Sequence, residues 1–478
     1  MSNRNFLASF LVPALSVLAL AACAPTLSHP SREVNRTVPS AFGSGTSGGA
    51  TSDTNSAVVD WRAFFEDPKL QALIETGLEN NQELKLLTQE IEISRYEVMA
   101  RRGEYLPKVA AGASLGIEKV GEHTSQGASD EATGLPVHLQ DYRLGVVASW
   151  EVDIWKKLRN ATKAATLRYL SSVEGKKFMV TVLVAEIADS YYELGALDSQ
   201  LVVLKENLAI LEDTLGIVRL QKEAGRVTEL AVQRFEAEMF ENQSTQFAIS
   251  QQIVEAENRI NLLVGRYPQP VSRSTGELTS VLPTAIAVGM PADLLENRPD
   301  VRRAELELKA AKLDVRVAKA RFYPSMEIKA GVGYHSYEVV KLLSTPASTL
   351  YDFGADLVAP LFNRNELKAN YYSANAKQMQ AVLSYERTLL AAYIEALNEI
   401  SKIDNIAHSY ELREKATKTL QLSVETSTGL FNAARAEYTE VLLTRRDALE
   451  SQMELIEMKK EQLVASVHLY RALGGGWQ

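Results

Sequence analysis

Residues 107–118 read PKVAAGASLGIE, and residues 324–336 read PSMEIKAGVGYHS. In the first, Val109, Ala111, Ala113, Leu115 and Ile117 share one face, with Lys108, Gly112, Ser114, Gly116 and Glu118 opposite. In the second, Met326, Ile328, Ala330, Val332 and Tyr334 oppose Ser325, Glu327, Lys329, Gly331, Gly333 and His335. A helical pattern precedes each, so the apolar period changes from about 3.6 to 2 across Pro107 and Pro324. The wider stretches from Glu79 to Gly116 and from Glu296 to Gly333 therefore repeat one physical plan, a helix running into a half-buried strand. Few letters are shared; the pattern is.

Each strand has a partner that alternates as cleanly. Tyr142, Leu144, Val146, Ala148, Trp150, Val152 and Ile154 stand against Arg143, Gly145, Ser149, Glu151 and Asp153. In the second half Tyr351, Phe353, Ala355, Leu357, Ala359 and Leu361 repeat the spacing. The first two strands exceed the roughly ten residues that cross a bilayer at a tilt. Tyr105, Tyr142, Trp150 and Trp155 sit near their ends, where interfacial girdles belong. Alternation alone also fits a soluble hairpin. As membrane strands, four per chain cannot close a barrel, since single-chain bacterial barrels begin at about eight. Two copies would give a barrel filled by side chains, whereas three would leave a lumen, so a channel favours a trimer.

The chain has 478 residues, 46% hydrophobic and 23% charged, as a folded protein requires. Its net charge of −9 argues against a nucleic-acid partner. Arg4 and the broken apolar run from Phe6 to Leu20 have the form of a signal peptide, residues 1–22. The run ends in Leu20-Ala21-Ala22-Cys23, which resembles the lipobox of bacterial lipoproteins. Cys23 is the only cysteine, and that resemblance makes it the lipidation site, with Ala24 after it suiting the outer membrane. No other apolar run is long enough for a membrane helix, so any crossing must be a closed barrel.

Residues 23–60 carry no periodic apolar pattern and read as lipid anchor and flexible tether. A first structural repeat covers 61–265, with a helix entered at Asp67-Pro68 and running to about Tyr105, a β-hairpin at 107–154 and a long helix pair. The stretch from Gly121 to Gln140 reads as the hairpin loop, and Thr228 as the cap of the second long helix. Residues 266–290, with Pro268, Pro270 and Pro283, form a connector. The second repeat, 291–478, carries a hairpin at 324–362 and another long pair. In it Val382, Tyr385, Leu389, Tyr393, Ala396, Ile400, Ile403, Ala407 and Tyr410 keep a coiled-coil-like spacing. The expected fold is mainly α with a membrane β-barrel, built from a duplicated helix–hairpin–helix–helix protomer.

Three segments carry a family resemblance: Asn297-Arg298-Pro299-Asp300-Val301-Arg302, the junction Ala320-Arg321-Phe322-Tyr323-Pro324-Ser325, and the ending Leu469-Tyr470-Arg471-Ala472-Leu473-Gly474-Gly475-Gly476-Trp477. On these the chain resembles the TolC-like outer-membrane efflux proteins, in particular the lipoprotein branch serving resistance-nodulation-division (RND) pumps. The resemblance implies a homotrimer with a twelve-stranded barrel in the outer membrane and a long α-helical tunnel through the periplasm. It implies a periplasmic adaptor and an inner-membrane RND transporter as partners, and passive export of small molecules. It also places Glu229, in Thr228-Glu229-Leu230, and Glu440, in Thr439-Glu440-Val441-Leu442, at the periplasmic aperture. Leu443 stands where a second aspartate is common, and Ala434-Arg435-Ala436-Glu437 lacks the usual tip glycine.

The six histidines are scattered, and no phosphate-cradling glycine loop exists. The sequence thus points to no enzyme, no cofactor and no metal site. A duct of the same fold for type I protein secretion and a lipid-anchored structural coiled coil are the rival readings. The lipobox and the Gly-Gly-Gly-Trp ending favour efflux over the first, and the alternating strands argue against the second.

Overall fold

The computed structural model describes residues 24–27, 32–42, 55–274, 278, 281, 286–362, 364–433 and 435–477. Cys23 and the signal segment lie outside the described residues. In chain order the helices and strands are α1 (Trp61–Phe64), α2 (Pro68–Asn80), α3 (Gln82–Tyr105), β1 (Lys108–Glu118), α4 (Ser125–Thr133) and β2 (Leu139–Val152). There follow α5 (Lys157–Glu223), α6 (Glu229–Leu263), α7 (Leu294–Asn297), α8 (Pro299–Ala320), β3 (Ser325–Ser336), β4 (Thr349–Val358), α9 (Asn365–Asn432) and α10 (Tyr438–Ala472). The chain groups into two compact units, each drawn from both halves of the sequence.

The first unit takes in Ile91–Ser171 and Glu305–Ser384 and contains the four strands of the described residues. The strands form one antiparallel sheet in the order β1-β2-β3-β4. Val109 pairs with Ala148, Ala148 with Ala330 and Ala330 with Phe353, which makes one unbroken apolar row. The neighbouring row, Lys108, Ser149, Lys329 and Gly354, belongs to the other face. Register follows from the pattern, because a slip of one residue would exchange the faces of a whole strand. Gly333 is required by close approach: a Cβ there would lie 2.4 Å from the Leu144 carbonyl oxygen.

Two local readings change here. The first hairpin loop contains a helix, α4, where a plain loop is expected. Thr124 Oγ1 accepts from the Gly127 amide at 3.1 Å, and Gly134 closes the helix in the left-handed region at φ 69°. Asp153 does not extend the polar strand face. It turns inward, buried, and accepts from the Leu158 and Arg159 amides at 3.0 Å each, which caps α5.

The second unit comprises Asn35–Glu90, Ser172–Ala304 and Tyr385–Gln478. Its core gathers Trp61, Phe64, Leu70, Ile187, Leu194 and Tyr470 from α1, α2, α5 and α10. The helix entrance at Asp67-Pro68 forms, with Asp67 Oδ1 accepting from the Lys69 amide at 2.8 Å. The expected single helix to Tyr105 is interrupted at Asn81, whose side chain accepts from the Leu84 amide and donates to the Leu263 carbonyl. Asn81 caps one helix and ties it to the end of another. The seam on α9 is buried at Val382, Tyr385, Leu389 and Ala396, and Ala407 is exposed.

Part of the segment read as a tether lies against helices. The Asn35 amide donates to Glu386 Oε1 at 3.0 Å, and Phe42 stacks on Tyr393 with ring centroids 5.6 Å apart. The connector is held as well. Arg273 bridges Asp198 on α5 and Glu257 on α6. These contacts join residues far apart in sequence, so no local period announces them.

Candidate functional site: the sheet faces and the helix-turn tips

The sheet has two chemically distinct faces. On the apolar one Leu115, Ile117, Val332, Tyr351, Phe353 and Leu357 are each more than half exposed in the single chain. Soluble proteins rarely leave so much contiguous apolar surface open. On the other face Lys329 lies 2.9 Å from Asp356 and 3.5 Å from Glu327, and Arg143 lies 2.9 Å from Asp141. Ion pairs of this kind need water or a polar lumen around them. Trp150 Nε1 donates to the Tyr105 carbonyl at 3.0 Å and Trp155 Nε1 to the Pro324 carbonyl at 2.8 Å. Both indoles are thus fixed where strands meet helices. Among the described residues the outer edges of β1 and β4 have no strand paired to them.

The helix-turn tips belong to the second unit. After α5 the chain reverses through Gly225, at φ 70°, with the Arg226 amide donating to the Gln221 carbonyl at 2.8 Å. Thr228 takes the N-cap position of α6 with extended backbone but makes no side-chain capping bond. The corresponding reversal after α9 bonds the Arg435 amide to the Leu430 carbonyl at 2.8 Å. One apolar cluster joins both reversals: Leu215, Val218, Val232, Phe235, Phe431 and Val441. The structure therefore brings together the helix starts that carry Glu229 and Glu440.

The two glutamates differ in their partners. Glu229, the first residue of α6, is exposed and ion-paired with Lys222. Glu440, in the first turn of α10, is exposed and makes no ion pair among the described residues. Both positions favour a carboxylate through the helix dipole. Lys222 was not singled out from sequence, although its place one turn before the reversal carries the signal. Leu443 is 51% exposed, so it is not part of the cluster core.

Two sequence segments that carried the family resemblance meet in the second unit. The Arg298 guanidinium donates to Asp300 from Nε and Nη2 at 3.0 and 2.8 Å. Its Nη1 donates to Glu395 Oε2 at 2.8 Å and to the Ala472 carbonyl at 2.7 Å. Trp477 Nε1 donates to the Asn297 carbonyl at 3.3 Å, and Lys177 Nζ lies 4.4 Å from the Trp477 ring centroid. Gly475 leaves room for Tyr470, whose ring would lie 2.3 Å from a Cβ there. The C-terminal glycines and tryptophan thus form a latch over the segment before α8. The latch is structural, not chemical.

Among the described residues no group of three or more His, Cys, Asp or Glu side chains could hold a metal ion. Among them no helix is long and apolar enough to cross a membrane, which says nothing of strands.

The family profile for outer membrane efflux proteins matches residues 73–266 and 290–475. The chain is 27% identical over 420 residues to the probable outer membrane lipoprotein SilC of Salmonella typhimurium, covering 87% of this chain and 88% of that protein. It is 26% identical over 470 residues to the toluene efflux pump outer membrane protein TtgI of Pseudomonas putida, covering 98% of each. Its fold is similar to the open-state MtrE outer membrane channel of Neisseria gonorrhoeae, with a TM-score of 0.83 at 22% identity, over 95% of this chain and 99% of that one. The profile spans most of the chain, both sheet hairpins and both helix-turn tips: the chain belongs to the outer membrane efflux protein family.

Proposed function

We propose that this chain is the outer-membrane exit duct of a tripartite efflux pump, a passive path for small molecules from the periplasm to the exterior. It works as a homotrimer docked to a periplasmic adaptor and an inner-membrane RND transporter, which supplies the energy. The four-stranded sheet carries this reading. Its strands, 10 to 14 residues long, match the span of a tilted membrane strand. One face suits lipid and the other a wet lumen. Open edges are not tolerated in hydrocarbon, so β4 of one copy must pair with β1 of the next. Three copies of a four-stranded sheet make twelve strands around a lumen.

A second feature supports assembly. Phe240, Phe247 and Val254, seven residues apart on α6, are 61%, 76% and 48% exposed in the single chain. A heptad-spaced apolar stripe asks for another helix against it. The order helix, strand pair, long helix, shorter helix occurs in each half, which supports reading the protomer as a duplication. Reconstitution tests the proposal. The purified protein is expected to run as a trimer in native mass spectrometry and to give discrete conductance steps in planar bilayers. A monomer without conductance would refute it.

Acylation of Cys23 would anchor the N-terminus to the inner leaflet of the outer membrane. Mass spectrometry of the mature N-terminal peptide is expected to find lipid on Cys23 and none after Cys23→Ser. An unmodified wild-type cysteine would remove the anchor. The barrel has its own apolar face, so insertion is expected to survive the substitution.

Glu229 and Glu440 would form carboxylate rings at the periplasmic aperture, attracting cations where water is confined. Because Lys222 partly neutralises Glu229, Glu440 carries more of the field. Glu440→Gln is expected to reduce cation preference more than Glu229→Gln, and the double variant most of all. Reversal potentials under a salt gradient measure this. Identical values for wild type and double variant would return both residues to ordinary helix ends.

A further inference from the structure

Two connecting loops leave the sheet at the same end, residues 119–138 between β1 and β2 and residues 337–348 between β3 and β4. Their chemistry differs. The first sets one lysine, Lys119, against Glu122, Asp130 and Glu131, as a loop in water does. The second reads YEVVKLLSTPAS, and its only charges, Glu338 and Lys341, pair with each other at 2.6 Å. Val339, Val340 and Leu343 are 58%, 90% and 66% exposed there. An apolar crest beyond the end of a sheet is a contact surface, not a solvated turn.

The position of the crest names the contact. Residues directly opposite on antiparallel strands share a face. Tyr142 is opposite Leu115, Tyr334 opposite Leu144 and Tyr351 opposite Val332, so three strands each place a tyrosine on the apolar face near the loop end. Tyrosines at that level form the girdle where a barrel leaves the acyl region. The 337–348 loop starts directly past this girdle and is tied to it, because the Tyr334 and Thr345 hydroxyls are hydrogen-bonded at 3.3 Å. Its returning limb, which carries Leu343, is therefore held on the side of the apolar face. The loop backbone also satisfies itself. The amides of Lys341, Ser344 and Ser348 donate to the carbonyls of Glu338, Lys341 and Ser344 at 3.1, 3.0 and 2.8 Å. Ser348 Oγ donates to the Lys341 carbonyl at 2.7 Å. A segment at the edge of hydrocarbon needs such closure, since lipid chains offer no partner to a free N–H or C=O.

We infer that the 337–348 loop is an interfacial anchor, which seats Val339, Val340 and Leu343 at the boundary between headgroups and acyl chains in the leaflet on the loop side. The inference rests on the duct reading, which puts the sheet in a bilayer. The occupant is lipid, not a second copy. Where β4 of one copy pairs with β1 of the next, this loop stands beside residues 119–138. There Leu135 and Val137, the exposed large apolar side chains, are outnumbered by three acids. The Glu338–Lys341 pair stays at headgroup level, and one such loop per copy fixes the height of the barrel in the bilayer.

Spin labels test this. In a Cys23→Ser background the chain has no other cysteine, so a nitroxide can be attached at Val340→Cys, Leu343→Cys, Ser129→Cys or Phe353→Cys. Each full-length variant is reconstituted in phosphatidylcholine liposomes. Collision of the label with oxygen, which concentrates in lipid, is compared with collision with a water-soluble nickel chelate. Relative to the label at 129, those at 340 and 343 are expected to favour oxygen over nickel by about threefold or more. The label at 353, on the apolar face opposite Ala330, is expected to favour oxygen more strongly still. Nickel access at 340 equal to that at 129 would put the loop in water and overturn the inference. Low access to both reagents would bury the crest against protein, a second copy included, and overturn it too. A label at 353 that also favours nickel would instead take the sheet out of the bilayer, and the duct reading with it. Trypsin probes the loop without a label. In liposomes, cleavage after Lys341 is expected to be about tenfold faster in Val340→Ser with Leu343→Ser than in wild type, because the serines release the loop into water. Equal rates would overturn the anchor.

Discussion

Arg298→Ala is expected to destabilise the second unit by about 3–5 kcal/mol, the usual cost of removing one partner from a buried charge network. The guanidinium is only 7% exposed and satisfies two carboxylates and the Ala472 carbonyl at the end of α10. Alanine would leave Asp300 and Glu395 partly buried with reduced compensation, and would release the C-terminal latch. Arg298→Lys keeps the charge but not the planar fork, so an intermediate loss is expected. Arg95→Ala, which breaks only the exposed pair with Glu92, should cost less than about 1 kcal/mol. Thermal unfolding in detergent, followed by far-ultraviolet circular dichroism, orders the three variants. If Arg298→Ala unfolded with wild type, the latch would contribute nothing.

The same network has a pH signature. Burial opposes the charge on Glu395, but Arg298 and Arg471 outweigh it and hold the carboxyl below its ordinary range. A carboxyl lowered in the folded state stabilises above its unfolded value, about 4.3, and that contribution fades as pH falls through the folded value. The gap between wild type and Arg298→Ala should therefore be full near neutrality and narrow in acid. Widening in acid would contradict the assignment.

The strand register was legible because a period of two, started by a proline and stocked with small residues, has few other uses. Val109, Ala148 and Ala330 share a face in the sequence pattern and in the ladder. The start of α6 after Thr228 was legible for a similar reason, since capping chemistry is local. What escaped was long-range. Arg298 sits in a motif whose letters were noticed, yet its partners Glu395 and Ala472 lie 97 and 174 residues away. Asn81 reads as one polar residue in a helical run until Leu263 appears beside it. The helix α4 carries too few apolar residues to set a period, and its caps, Thr124 and Gly134, are common in any loop.

Ala113→Arg is expected to cost about 2–4 kcal/mol of barrel stability, as a cation on the lipid face near the midplane does. Gly112→Arg, one residue away, should be mild. Ala113 pairs with Leu144, and its face carries Val109, Leu115 and Tyr334. Gly112 pairs with Gly145 on the face of Lys108 and Arg143, and a Cβ at Gly112 would meet nothing within 4 Å. A second pair tests the neighbouring strand. Ser149 lies opposite Lys108 and Lys329, so Ser149→Glu meets opposite charge, whereas Ala148→Glu stands on the apolar face between Val109 and Ala330. The acidic penalty is smaller than that of arginine, but its sign is the same. At tenfold per 1.4 kcal/mol, the Ala113→Arg cost corresponds to roughly a 30- to 700-fold loss in the folded-to-unfolded ratio, far more than the lumenal change. Trimer yield in outer-membrane fractions, compared across the four variants, reads the difference directly. Equal yields from adjacent residues would mean that the two faces see the same surroundings, and no sheet in a bilayer could satisfy that.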